Sequence, residues 1–236
     1  MLVTLKNISK HYQNPGSGLW QEVLTDISLE INPGDALAVA GPSGSGKSTL
    51  LNIIGTLDQP SSGQVSFDGT DISSLTENQL ATFRNQRIGF VFQQHYLLPQ
   101  LSLLENVLLP VIPVKDKTRR NEATVRATQL LSEVGLADKM HHLPGQLSGG
   151  ECQRGAVVRA MINEPGLILA DEPTGSLDQD SAAQIGELLS EINRKKKVTI
   201  IVVTHSEKLA SKMNRVFGIL NGRLEPREEE CNNSTI

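Results

Sequence analysis

Apolar residues in this chain recur in short blocks of strand length, separated by stretches with helical spacing. That is the pattern of a parallel sheet covered by helices on both faces. Residues 23–31 alternate, with Ile27, Leu29 and Ile31 on one side, which predicts a half-buried strand. The blocks 36–40, 167–170 and 200–203 are almost wholly apolar and predict strands buried on both faces. Between residues 180 and 194, Ile185, Leu188, Leu189 and Ile192 fall at i, i+3, i+4 and i+7, the stripe of an amphipathic helix that packs on that sheet. Lys195, Lys196 and Lys197 end it, where the helix dipole favours cations without any ligand. Residues 118–163 read as helix, loop and helix with no strand, with Leu130, Leu131 and Val134 as a short apolar face, and predict a helical subdomain inserted into an α/β core. Pro15-Gly16-Ser17-Gly18 predicts a surface loop rather than a linker between domains.

A length of 236 residues with 38% apolar and 20% charged positions suits one large domain, or one domain with a subdomain. Only 3% of residues are aromatic and the net charge is −4, which argues against a nucleic-acid partner. Cys152 and Cys231 lack metal-ligand spacing, and Met1-Leu2-Val3-Thr4-Leu5-Lys6 lacks the order of a secretion signal, so a reducing, cytoplasmic setting is expected. No apolar run approaches the roughly 20 residues of a membrane helix. The richest stretch, 97–114, is interrupted by Pro99, Glu105, Asn106, Pro110 and Pro113, so the chain is not expected to span a membrane by itself. Residues 1–226 are expected to form the domain, and 227–236, with Glu228-Glu229-Glu230, a solvated and frayed tail.

Three motifs carry the chemistry. Gly41-Pro42-Ser43-Gly44-Ser45-Gly46-Lys47-Ser48-Thr49 fits GxxxxGK[ST] and lies between the apolar block 36–40 and the apolar residues that follow it, as a P-loop requires. Its glycines let backbone N–H groups fold around phosphate oxygens, Lys47 reaches the β/γ-phosphates, and Ser48 offers an oxygen to Mg²⁺. Asp171-Glu172 ends the apolar block 167–170, where ligands of open α/β sheets collect. Asp171 is the expected Mg²⁺ partner, and Glu172 the group that orients and polarises the attacking water of ATP hydrolysis. Ser148-Gly149-Gly150 precedes a helical stretch and forms a second anion-binding helix start. Taken alone, that last segment is an ordinary N-cap.

With these motifs in place, Leu147-Ser148-Gly149-Gly150-Glu151-Cys152-Gln153-Arg154 matches the signature LSGG[EQ]xQR, and nearly the whole chain resembles the ATP-binding cassette (ABC) family. The resemblance implies a RecA-like P-loop NTPase α/β core with an antiparallel β subdomain and a helical subdomain at about 95–163. It also implies that Tyr12 stacks on adenine and that Gln93 is the Q-loop glutamine serving both metal and catalysis. Asp178 then belongs to the D-loop, and His205 is the switch histidine touching the γ-phosphate. Two copies would face head to tail, so that Ser148, Gly149 and Gly150 act on the ATP held by the other copy's Lys47. Integral membrane permease subunits would dock beside Gln93, against residues 95–104, and place the chain peripherally on the cytoplasmic face of the inner membrane.

Within the family, Gln94-His95-Tyr96-Leu97-Leu98-Pro99, Leu104-Glu105-Asn106-Val107 and Ala170-Asp171-Glu172-Pro173-Thr174-Gly175 resemble the group that holds the lipoprotein-releasing (LolD-type) ATPases, the MacB-type exporters and the FtsE-type division proteins. The first are the most similar. A soluble family member working on DNA or ribosomes is the competing reading, but such members carry two cassettes, long insertions or basic regions. Two departures stand out: Cys152 where Arg or Gln is usual, and Gly155-Ala156-Val157-Val158 in place of Val-Ala-Ile-Ala. A glycine inside that helix costs up to about 1 kcal/mol against alanine.

Overall fold

Alternating burial first builds an antiparallel layer. The computed structural model describes residues 1–227 apart from Pro15, Ser17 and Lys115. Strand β1 (Val3–Gln13) pairs antiparallel with β2 (Trp20–Ile31), which turns Leu24, Ile27, Leu29 and Ile31 inward. The strand expected over 23–31 is therefore present and begins three residues earlier. The expected loop at 15–18 falls partly on residues outside the described ones, as does the expected tail apart from Arg227. The N–H of Arg227 still donates to the Val216 carbonyl.

Strand β3 (Ala36–Ala40) leads through the P-loop into helix α1 (Lys47–Ile54). Gly46, at φ 99, caps α1, and a Cβ there would stand 2.8 Å from the Val23 carbonyl oxygen. Only glycine fits both demands. Next come β4 (Ser62–Phe67), β5 (Thr70–Asp71), α2 (Glu77–Arg87) and β6 (Ile88–Val91). The helical region follows with α3 (Leu103–Leu108), α4 (Lys117–Glu133) and α5 (Gly149–Met161). The chain closes with β7 (Leu167–Asp171), α6 (Gln179–Lys196), β8 (Thr199–Thr204), α7 (Glu207–Ala210), β9 (Arg215–Leu220) and β10 (Arg223–Pro226).

These strands form two sheets, an antiparallel β2-β1-β4-β5 and a six-stranded β10-β9-β3-β8-β7-β6 that is parallel except at β10. Period-two alternation divides the parallel sheet between two cores. Ala36, Ala38, Ile168, Ala170, Ile200 and Val202 face the helices α3 to α6. Leu37, Val39, Leu167, Leu169, Ile201 and Val203 face α1 and the antiparallel layer. Burial on both faces is why these blocks are nearly all apolar. Helix α6 buries Ile185, Leu189 and Ile192 and ends at Lys197, whose φ of 56 makes a left-handed cap.

Helix α5 belongs to both halves, since it packs on α3 and α4 and also on β6. Its unusual glycine has a structural reason. A Cβ on Gly155 would lie 2.4 Å from Cδ1 of the fully buried Leu103, so the leucine of α3 occupies the space that a side chain at 155 would need. Cys152, one turn earlier, is also buried, its Sγ 3.6 Å from the Pro144 carbonyl oxygen. Among the described residues no helix is long and apolar enough to cross a membrane.

Candidate nucleotide site

The P-loop, the end of β7 and the end of β8 meet because β3, β8 and β7 are neighbours in the parallel sheet. Their C-terminal ends surround a cleft of about 780 Å³. Ser43, Gly44, Gly46, Lys47, Ser48 and Thr49 line one part of it, Asp171, Glu172 and His205 another, and Phe92, Gln93, Gln94 and Tyr96 a third. Four separate sequence signals thus converge: the P-loop, the acidic pair, Gln93 and His205.

Inside the cleft the charged groups satisfy one another. Lys47 is only 7% exposed, and its ammonium donates to the carbonyls of Gly41 (2.9 Å) and Pro42 (2.8 Å) while standing 3.9 Å from Glu172 Oε1. The Ser48 hydroxyl donates to Asp171 Oδ1 at 3.0 Å. Burial raises the pKa of Asp171, the neighbouring Glu172 raises it further, and Ser48 and Lys47 counter only part of that. Glu172 sits at φ 45, a left-handed conformation unfavourable for a residue with a Cβ. Its backbone N–H donates to the Val203 carbonyl at 2.9 Å. Its Oε2 accepts from the Thr204 hydroxyl (3.1 Å) and the His205 N–H (3.2 Å), and lies 2.9 Å from His205 Nδ1. Backbone strain beside buried charge is a mark of a functional site.

Thr204 was not singled out from sequence. It is fully buried at the end of β8, as Thr199 is at its start, so no lone polar position marks it in the sequence. Gly175 is a second such residue. A Cβ there would stand 2.8 Å from Gln93 Nε2, while the Ser176 hydroxyl donates to the Gln93 carbonyl at 2.9 Å.

Other expected site residues lie outside the cleft. Tyr12, 42% exposed, donates its hydroxyl to Asp58 at 2.6 Å, under the Lys10 ammonium. Its phenol pKa is raised by burial and then by Asp58. Ser148 and Gly149 are exposed at the start of α5. There the Ser148 hydroxyl accepts from the Glu151 N–H at 3.2 Å, and the Glu151 carboxylate returns a bond to the Ser148 N–H at 2.7 Å. That reciprocal capping box holds the Glu151 pKa low. Gly150 is buried against Ser181, whose hydroxyl donates to Asp178 Oδ2 at 2.7 Å. Asp178 and the Ser-Gly-Gly segment therefore form one surface, separate from the cleft that holds Lys47.

The cleft's residues fit a phosphate chain and a divalent cation. Ser45 Oγ, within the P-loop, is buried with no hydrogen-bond partner among the described residues, and the Lys47 ammonium donates to two carbonyls of its own loop, with Glu172 farther off at 3.9 Å. Ser48 and Asp171 give one hydroxyl and one carboxylate side by side, the sparse protein donor set with which Mg²⁺ is bound beside substrate phosphates.

Residues 24–175, most of this architecture, match the family of ABC transporters. The chain belongs to the ABC transporter family. Two relatives are the lipoprotein-releasing system ATP-binding proteins LolD of Syntrophus aciditrophicus (47% identical, covering 94% of this chain and 98% of the relative) and of Geobacter metallireducens (48%, covering 94% and 97%). Among solved structures, the dimeric ABC cassette MJ0796 in a post-hydrolysis state with ADP and Pi superposes at a TM-score of 0.83, with 38% identity over 96% of this chain and 98% of that one. The antiparallel layer, parallel core and helical region are thus those of an ABC cassette, as the signature at 147–154 implied.

Proposed function

We propose that the chain is the ATP-hydrolysing subunit of a transporter that extracts lipoproteins from the inner membrane, and that it acts as a pair of copies closed around ATP. The division of the site carries this reading: Lys47, Asp171, Glu172 and His205 share one cleft, while Ser148, Gly149 and Asp178 lie on a surface outside it. A second copy set head to tail supplies what each cleft lacks. The dimeric solved relative and the names of the LolD relatives support this reading.

In this account the P-loop N–H groups and Lys47 bind the phosphates, with Lys47 leaving its own carbonyls to do so. Ser48, Asp171 and Gln93 would hold Mg²⁺, which would neutralise charge on the phosphates. Glu172, held by Thr204 and His205, orients and polarises the attacking water, and His205 senses the terminal phosphate. Tyr12 packs on the base. Ser148 and Gly150 grip the partner copy's ATP, so hydrolysis removes the contacts that favour closure.

A membrane permease subunit docks beside Gln93. Of the segment expected to receive it, Leu97 and Leu103 are core residues, whereas Tyr96 and Leu98 are exposed. Tyr96 borders a neighbouring cleft of about 510 Å³ with Leu57, Phe90, Phe92 and Pro110. This docking puts the chain on the cytoplasmic face of the membrane. Purification from detergent-solubilised membranes, then reconstitution with the recovered permease, tests the proposal. Release of an acylated protein from proteoliposomes on addition of Mg-ATP is expected. A permease that exports small molecules and releases no lipoprotein overturns the cargo, and recovery with ribosomes or DNA alone overturns transport.

A further inference from the structure

Gln93 lies in a stretch, residues 92–102, that has no helix or strand. Carbonyls in such a stretch must find other partners. Those around Gln93 are held by side chains, and three of these bonds come from α5. Gln153, 1% exposed, donates its Nε2 to the Phe92 carbonyl at 2.8 Å, immediately before Gln93. Arg159 donates Nη2 to the His95 carbonyl and Nη1 to the Tyr96 carbonyl, both at 2.7 Å, just beyond it.

Arg159 has no carboxylate within ion-pair distance among the described residues, so these two carbonyls are what hold its guanidinium. Its pKa is lowered by burial, the mark of a cation held away from water. The clamp also fixes Tyr96 at φ 46, a backbone conformation that a non-glycine residue keeps only when its surroundings impose it. Between them, the neutral ring nitrogen Nδ1 of His95 accepts the Leu97 N–H at 3.1 Å. Helix α5 has no slack against the core, since a Cβ on Gly89 of β6 would come within 2.3 Å of the Ala160 carbonyl oxygen.

We propose that Gln153 and Arg159 are positioning residues for Gln93, so that the helix whose first turn serves the partner copy's ATP also sets the reach of Gln93 toward the ATP of its own copy. One rigid element then touches both nucleotides of the closed pair. The inference rests on the metal-holding role proposed for Gln93, and the test separates the two.

The test is a double-mutant cycle on Mg-ATP hydrolysis by the full chain, with Gln153→Met, Arg159→Gln and Arg159→Lys, each alone and combined with Gln93→Ala. Gln93→Ala is expected to lower kcat about tenfold or more, as loss of a water- or metal-positioning group does. Gln153→Met and Arg159→Gln are each expected to lower kcat about tenfold, with affinity for a fluorescent ATP analogue within about twofold, and to add almost nothing once Gln93 is alanine. Arg159→Lys, which keeps a cationic donor, recovers part of the loss. In nucleotide-free protein, amides 94–98 exchange about tenfold faster in Arg159→Gln, a readout independent of turnover.

Losses that multiply with Gln93→Ala, or unchanged turnover in both single variants beside a slow Gln93→Ala, overturn the positioning role alone. Unchanged turnover in Gln93→Ala overturns the role of Gln93, and the inference with it. Because Gln153 and Arg159 are independent donors, a fold defect in one variant leaves the other to decide.

Discussion

Two ends of the nucleotide machinery contrast within one chain. At the cleft, Lys47, Asp171, Glu172 and His205 are charged or ionisable groups drawn together from three strand ends; Glu172 stands 3.9 Å from Lys47 and 2.9 Å from His205, and Asp171 accepts from Ser48 at 3.0 Å. At the start of α5, Ser148 and Gly149 are uncharged and exposed, and the Ser148 hydroxyl is already engaged in its own capping box. In the first arrangement ionisation of Asp171 is costly, because burial and the neighbouring Glu172 raise its pKa. The second is a self-capped helix start that lies outside that cleft. In the proposed pair, Mg-ATP would fill the cleft of one copy and give the helix start of the other a partner, so damage to the two ends should have different symptoms.

The largest effect is expected at the cleft. Lys47→Ala removes a cation buried among carbonyls and should weaken ATP binding by about a hundredfold or more, the worth of a charge-assisted bond to phosphate. Titration with a fluorescent ATP analogue measures it, and near-normal affinity would erase the distinction between the ends. Ser148→Arg should do the reverse. Single-chain affinity stays within about twofold, while turnover falls about fiftyfold or more because a bulky cation sits where two copies must meet. Loss of affinity in the isolated chain would mean that Ser148 serves its own cleft.

A smaller effect sharpens the contrast from outside both ends. Gly155→Ala must push Leu103 aside, which should cost about 1–3 kcal/mol of stability in chemical denaturation while ATP affinity is retained. A neutral result would mean that the close contact between α3 and α5 relaxes freely. The smallest effect is a gain. A raised pKa at Asp171 means that its ionisation opposes folding, a cost absent below the unfolded value of 3.8 and complete above the folded one. Asp171→Asn should therefore raise the thermal midpoint of nucleotide-free protein at neutral pH, and the gain should vanish as the pH falls toward 4. A lowered midpoint at pH 7 would show that the ionised carboxylate is well supported.

How much of this was legible in the sequence depends on what each feature needs. Strands β3, β7 and β8 could be read because burial on both faces leaves unbroken apolar blocks. Strand β1 could not be read from periodicity, since Asn7 at φ 51 and register shifts at Leu5, Ile8 and Lys10 break the alternation. Helix α2 was equally silent, because it buries only Leu80. The P-loop, the acidic pair and the Ser-Gly-Gly start were visible, their chemistry being local to a few consecutive residues. Gln93, His205, Tyr12 and Asp178 came only through resemblance to the family. Thr204 beneath Glu172, and Leu103 filling the space at Gly155, depend on contacts between distant segments that no local pattern records.

The central claim is that ATP draws two copies together and hydrolysis lets them part. Glu172→Gln keeps the shape of the side chain but removes the charge proposed to polarise water, so it should bind Mg-ATP and hydrolyse it about a hundredfold or more slowly. Sedimentation velocity of this variant is the most direct test. The account predicts a dimer with Mg-ATP and a monomer with ADP or without nucleotide. A single monomeric boundary at saturating Mg-ATP would contradict it.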